Sequence, residues 1–113
     1  MRKSADWTCG LRVWLENDGH VVLGRGRVAL LAAIEEQRSI RQAAMSLEMS
    51  YRRAWLLVRS MNEAAGRPLV EASKGGNARG GAIVTPFGKE AIRRFNKLDR
   101  ALQATAARVV RHF

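Results

Sequence analysis

The side chains in this sequence best suited to chemistry are guanidinium groups at helical spacing. In Ser50-Tyr-Arg-Arg-Ala-Trp-Leu-Leu-Val-Arg-Ser-Met61, the residues Ala54, Leu57, Val58 and Met61 make one apolar stripe. Arg52, Leu56, Arg59 and Ser60 point away from it, with Arg53 beside them and Tyr51 and Trp55 at the borders. An arginine fork pairs bidentately with guanine in the major groove or with a phosphate, and a helix N-terminus adds backbone donors for phosphate. The alternative is a plain solvated basic face, which is the ordinary outer face of an isolated helix.

Other chemistries find little to stand on. His20 has one companion histidine, His112, at the far end of the chain, and no neighbouring nucleophile, so it reads as a surface or strand residue. Cys9 is the single cysteine, which rules out an internal disulfide and a thiolate zinc site. The Gly24-Arg-Gly-Arg27 run lacks the third glycine and the continuation of a dinucleotide fingerprint. No residue is assigned a catalytic or metal-binding role, no cofactor is expected, and the chain is not read as an enzyme.

A basic helix becomes informative when a second helix holds it. Ile40, Ala43, Ala44 and Leu47 form a short stripe capped by Ser39, and Ser50 caps the next helix, leaving Glu48 and Met49 as the connection. Two helices meeting across so tight a turn need a small side chain at the contact, and Ala44 supplies it. This is helix-turn-helix geometry. The candidate DNA contacts on it are Ser39, Arg41 and Gln42 at the start of the first helix and Ser50, Tyr51, Arg52, Arg53, Leu56 and Arg59 on the second.

Charge agrees with that reading. The chain has 113 residues, enough for one domain, and 20 Lys plus Arg against 10 Asp plus Glu give a net charge of +10. Such a balance suits a polyanion, and double-stranded DNA is the expected partner. No run of about 18 apolar residues and no signal-peptide core is visible, so a cytoplasmic location and no membrane contact are expected.

The flanking elements complete the scaffold. Residues 1 to 10 lack a period and are expected to fray. Leu11, Val13 and Leu15 alternate with polar or bordering residues, Asn17-Asp18-Gly19 turns, and His20 to Leu23 returns, which predicts a β-hairpin. After the Gly24-Arg-Gly-Arg27 break, Val28, Leu30, Leu31, Ala32 and Ile34 open a helix to about Gln37. Gly66 and Arg67-Pro68 end the recognition helix. Leu69 to Ala72 and Ala82 to Thr85 then predict two strands around a tip with four glycines between Ser73 and Gly81. Lys74, Asn77 and Arg79 in that tip are candidates for phosphate or minor-groove contact, as a wing. A merely floppy hairpin is the alternative; a phosphate-cradling loop is disfavoured because no Gly-Lys-Ser/Thr ending and helix follow. Thr85-Pro86 starts a last helix of about 27 residues. Ala91, Phe95, Leu98, Leu102, Thr105 and Val109 step by four and three along it as a coiled-coil seam, which predicts a homodimer; packing onto its own domain is the alternative.

The predicted fold is mainly α with small β: a winged helix-turn-helix over residues 11–86, with an N-terminal β-hairpin and a long dimerisation helix over 86–113. From Ser39 to Ile92 the sequence resembles the winged helix-turn-helix domain of LysR-type regulators. More closely, and over nearly the whole chain, it resembles the N-terminal domain of the ModE-type molybdate-responsive regulators. The resemblance rests on the opening hairpin, Gly26-Arg-Val-Ala-Leu-Leu-Ala-Ala-Ile34, Ser39-Ile-Arg-Gln-Ala-Ala44, Met49-Ser-Tyr-Arg-Arg-Ala-Trp55, Met61-Asn62, Gly66-Arg-Pro-Leu-Val70, the glycine-rich tip and Val84-Thr-Pro-Phe-Gly88. The Met-Ser-Tyr-x-x-Ala-Trp run is its most specific part.

That resemblance implies a dimer regulating transport and molybdoenzyme genes. In the family, molybdate is sensed by C-terminal β-barrel domains, whereas this sequence stops at Phe113 after the linking helix, so no molybdate site is assigned to any residue here. Two functions follow: a sequence-specific transcriptional regulator binding a pseudo-palindromic operator as a dimer, or a winged-helix protein-protein interaction module without specific DNA binding. Steep loss of affinity with salt distinguishes the first.

Overall fold

Residues 7–73 and 81–111 are described by the computed structural model, so Lys74, Asn77, Arg79, His112 and the start of the expected N-terminal fray lie outside the described residues. Strands β1 (Trp14–Asn17) and β2 (His20–Gly24) form the first hairpin. Asp18 and Gly19 both take positive φ, 52° and 77°. That is the backbone of a two-residue turn whose twist matches the flanking strands, and it needs the Asp-Gly chemistry found there. The strand pairing begins later than the alternation suggested: Leu11 and Val13 precede β1, and the register shifts between Leu15 and Glu16.

Helix α1 (Arg25–Gln37) starts directly after the hairpin with Gly24 as its N-cap. The expectation that Gly24 to Arg27 would separate strand from helix is therefore corrected. Gly26 and Arg27 belong to the first turn, where Arg27 donates to the Val21 carbonyl at 3.0 Å and ties helix to hairpin. Val28, Leu30, Leu31 and Ile34 are buried, whereas Ala32 faces out. Arg38 closes α1 in the left-handed region, φ 56°, with its N–H on the Ile34 carbonyl.

Helices α2 (Ile40–Ser46) and α3 (Tyr51–Ala65) follow. Ala43, Ala44 and Ala54 are at most 1% exposed, so the helix axes approach through methyl groups. The turn between them is a Schellman motif. Met49 N–H donates to the Ala44 carbonyl at 3.0 Å and Glu48 N–H to Met45 at 3.2 Å, with Glu48 at φ 55°.

Strands β3 (Val70–Ala72) and β4 (Ala82–Val84) pair antiparallel as the wing hairpin, Val70 opposite Val84 and Ala72 opposite Ala82. Its base is fastened to the end of α1 and to α3. Ala82 N–H donates to the Arg38 carbonyl at 3.1 Å, and the Asn62 amide reaches from α3 to Leu69 N–H, Val70 N–H and the Val70 carbonyl.

Helix α4 (Pro86–Val109) has Thr85 as N-cap, its hydroxyl oxygen accepting from Gly88 N–H at 2.9 Å while its proton goes to the Pro68 carbonyl. The first turns pack inward: Phe95 is 1% exposed and Ala91 packs against the core. This corrects the expected seam, because Ala91 and Phe95 serve the domain's own interior. Beyond Phe95 the half-buried stripe runs through Asp99, Gln103, Ala106 and Val110, about 100° round the helix from Leu98, Leu102, Thr105 and Val109. Two other parts of the chain meet it: Gln103 donates to the Leu11 carbonyl before β1 at 3.4 Å, and Arg25 at the start of α1 pairs with Asp99 at 3.1 Å. Leu98, Leu102 and Val109 are left 37%, 39% and 66% exposed.

Candidate nucleic-acid interface

The interface is assembled from the starts of α2 and α3. Ser50 caps α3 by accepting from Arg53 N–H at 3.1 Å, and Ser39 caps α2 by accepting from Gln42 N–H at 3.1 Å. Each oxygen is thus occupied as an acceptor while the hydroxyl proton can still be donated, the capacity a phosphate requires. Both helix starts are free of acidic residues in their first turns, so the positive ends of their dipoles are uncompensated there.

Arg41 from α2 lies over the Tyr51 ring of α3, 4.4 Å from guanidinium carbon to ring centroid. This cation-π contact holds the α2 cation against the first residue of α3. Arg52 and Arg53 are exposed beside it, and among the described residues neither has an ion pair or a side-chain hydrogen bond. Other arginines contrast with them. Arg25 is paired with Asp99, and Arg93 and Arg94 both engage Glu90. A guanidinium left unpaired on an exposed helix start keeps its full donor set for an anion.

The remaining candidates divide. Leu56 is 45% exposed and lines a groove with Arg27, Arg52, Arg53 and Ser60. Gln42 is exposed on α2. Arg59 lies on the outward side, but its guanidinium pairs with Glu63 at 3.1 Å and stands 5.7 Å from the Trp55 ring, so it is already engaged. The pairing partner sits four residues on, a helical spacing visible in the sequence. Tyr51 and Trp55, 40% and 43% exposed, line a cleft between α3 and the wing base together with Glu71 and Gly81. Sequence reading named Asn62 only within the family resemblance and gave it no role; its three hydrogen bonds set the wing against α3, a tie to β3 that depends on how the chain returns after Pro68.

Among the described residues no group of His, Cys, Asp and Glu could hold a metal ion, and no helix is long and apolar enough to cross a membrane.

Known proteins share this arrangement. The molybdenum-pterin-binding protein MopB of Rhodobacter capsulatus is 40% identical over 96% of this chain and 38% of its own length. The molybdenum transport protein ModE of Azotobacter vinelandii is 34% identical over 87% of this chain and 36% of its own. The chain therefore spans little more than a third of these relatives. Among solved structures, a LysR family transcriptional regulator superposes with a TM-score of 0.58 at 13% identity, covering 74% of this chain and 27% of that one. A complex of the CbnR DNA-binding domain with DNA gives 0.53 at 23% identity, covering 71% and 95%. These structural likenesses are of fold. Residues 26–89, more than half of the chain and the whole of the helix pair, wing base and start of α4, match the bacterial regulatory helix-turn-helix proteins of the lysR family, and the chain belongs to that family.

Proposed function

We propose that this chain is the DNA-binding part of a transcriptional regulator that acts as a dimer on a pseudo-palindromic duplex site, in the control of molybdenum-related genes. The observation that carries the proposal is the pair of exposed, unpaired guanidinium groups of Arg52 and Arg53 at the capped start of α3. A helix presented this way enters the major groove with its N-terminal side chains on base edges, while α2 crosses the backbone. Arg41, Gln42, Ser39 and Ser50 then face phosphates, and the wing tip with Lys74, Asn77 and Arg79 follows the backbone beside the groove. The net charge of +10 supports the electrostatic part of this binding. The molybdenum assignment rests on the names of relatives 40% and 34% identical.

The test selects binding sites for the purified chain from a random duplex pool and then measures Arg52→Ala and Arg53→Ala on the selected and scrambled sequences. Each substitution is expected to weaken the specific complex, and at least one to relax base preference, by about 1–3 kcal/mol for a lost bidentate contact. Variants that bind the selected site like wild type would displace the recognition face from α3, and failure to enrich any sequence would favour the protein-interaction alternative.

A further inference from the structure

Leu56 is the outlier on the proposed reading face. It stands one helical turn from Arg52 and Arg53, shares a groove with both and with Ser60, and leaves 45% of its surface in water. Its i−4 neighbour carries a charge and its i+4 neighbour a hydroxyl, so no apolar side chain of the same helix row covers it. Its neighbour Leu57 is half-buried against the core, so Leu56 is the large aliphatic group that α3 presents outward among these polar residues. A base edge in the major groove offers one alkyl group, the 5-methyl of thymine.

We infer that Leu56 reads thymine: its branched end packs on a thymine 5-methyl group and makes one position of the site a methyl-dependent contact. This rests on the DNA-binding reading of α3. Charge complementarity supports the occupant, since the flanking guanidinium groups draw the helix to duplex DNA. Spacing places the contact. Three to four residues advance about 4.5–6 Å along a helix, and base pairs rise about 3.4 Å. The thymine therefore falls about one to two steps from the base or phosphate held by Arg52 or Arg53.

The experiment uses the full chain and its selected duplex, with each thymine replaced in turn by deoxyuridine, which removes the methyl and keeps every hydrogen-bonding group. Wild type is expected to lose about fourfold in affinity at one thymine per half-site, the worth of burying one methyl group. Leu56→Ala, which removes the contact from both half-sites of the dimer, is expected to bind the thymine duplex about sixteenfold more weakly and to show no difference between thymine and deoxyuridine at either, while Leu56→Met restores the difference. Circular dichroism of the variants reports that each is folded. If a site is selected but holds no thymine, if no replacement changes wild-type binding, or if Leu56→Ala keeps the wild-type ratio, the Leu56 assignment is overturned and the DNA-binding reading stands. If no sequence is enriched at all, the DNA-binding reading itself fails and takes this inference with it.

Discussion

At the scale of single residues, the proposed interface depends in part on positions outside the set of proposed DNA contacts. Gly88 shows why. A Cβ built there would stand 2.3 Å from the Leu69 carbonyl oxygen and 2.7 Å from a Val84 methyl, so α4 crosses the base of the wing at a distance that only glycine permits. Its backbone is ordinary helix, so the demand is for space and not for an unusual φ. Gly88→Ala is expected to destabilise the fold by about 1–3 kcal/mol, the usual cost of forcing atoms into a packed contact. Urea denaturation followed by circular dichroism measures it, and an unchanged midpoint would mean that the helix slides away without loss. The glycine was visible in the sequence, but its approach to Leu69 was not, since Leu69 comes alongside through the return of the chain before β3, where its carbonyl accepts from Thr85 N–H.

Among the elements, the turn between α2 and α3 fixes how the reading helix is presented. Both caps and the Ala44 contact follow from local sequence, and the structure places them as expected, with Ser39 and Ser50 each accepting from the third residue of its helix. The left-handed conformation of Glu48 at φ 55° was not legible, because the position that most often takes glycine in such a motif carries a residue with a Cβ. Left-handed backbone costs a non-glycine residue roughly 1–2 kcal/mol, of which the greater unfolded-state freedom of glycine returns about half. Glu48→Gly is therefore expected to raise stability by about 0.5–1 kcal/mol and Glu48→Val to lower it, both read from thermal melts. A stabilising valine would contradict the strain argument.

For the whole molecule, the long last helix packs its first turns on its own domain and, in the proposed dimer, also meets a partner. The exposed Leu98, Leu102 and Val109 stand beside, and not within, the half-buried stripe that meets Leu11 and Arg25. Leu98→Glu with Leu102→Glu is expected to turn a dimer into a folded monomer and to weaken specific DNA binding steeply, as two linked contacts become one. Light scattering after size exclusion reads the mass; a wild-type monomer at micromolar concentration would refute the dimer, and a double mutant of wild-type mass would place the interface elsewhere.

The covered stripe has its own signature. The Arg25 guanidinium, with help from Gln103, holds the Asp99 carboxyl below the usual carboxylate range. A lowered folded-state value stabilises above the ordinary carboxylate pKa of about 3.9 and is lost as pH falls through the depressed folded value. Wild type is accordingly expected to melt higher than Asp99→Asn near neutrality, with the gap closing as the solution is acidified below pH 4. A gap independent of pH would assign the effect to packing instead of charge.

What the sequence by itself determined is what depends on near neighbours along the chain: the Asp18-Gly19 turn, the caps at Ser39, Ser50 and Thr85, the small residues of the helix pair, the Gly66 stop and the outward arginines at the start of α3. These follow from periodicity and from groups three or four residues apart. Tertiary structure alone decided which cations stay free and which apolar groups stay exposed. Arg25 is withdrawn by Asp99, while Arg52 and Arg53 keep their donors; Arg59, by contrast, is engaged by Glu63 and Trp55 at a helical spacing that the sequence already shows. Phe95 leaves the expected seam for the core, and Leu98 and Leu102 do not. The physical reason is that pairing and burial depend on what the folded chain brings alongside, and Asp99 meets Arg25 across 74 residues, a separation at which no local pattern specifies a contact.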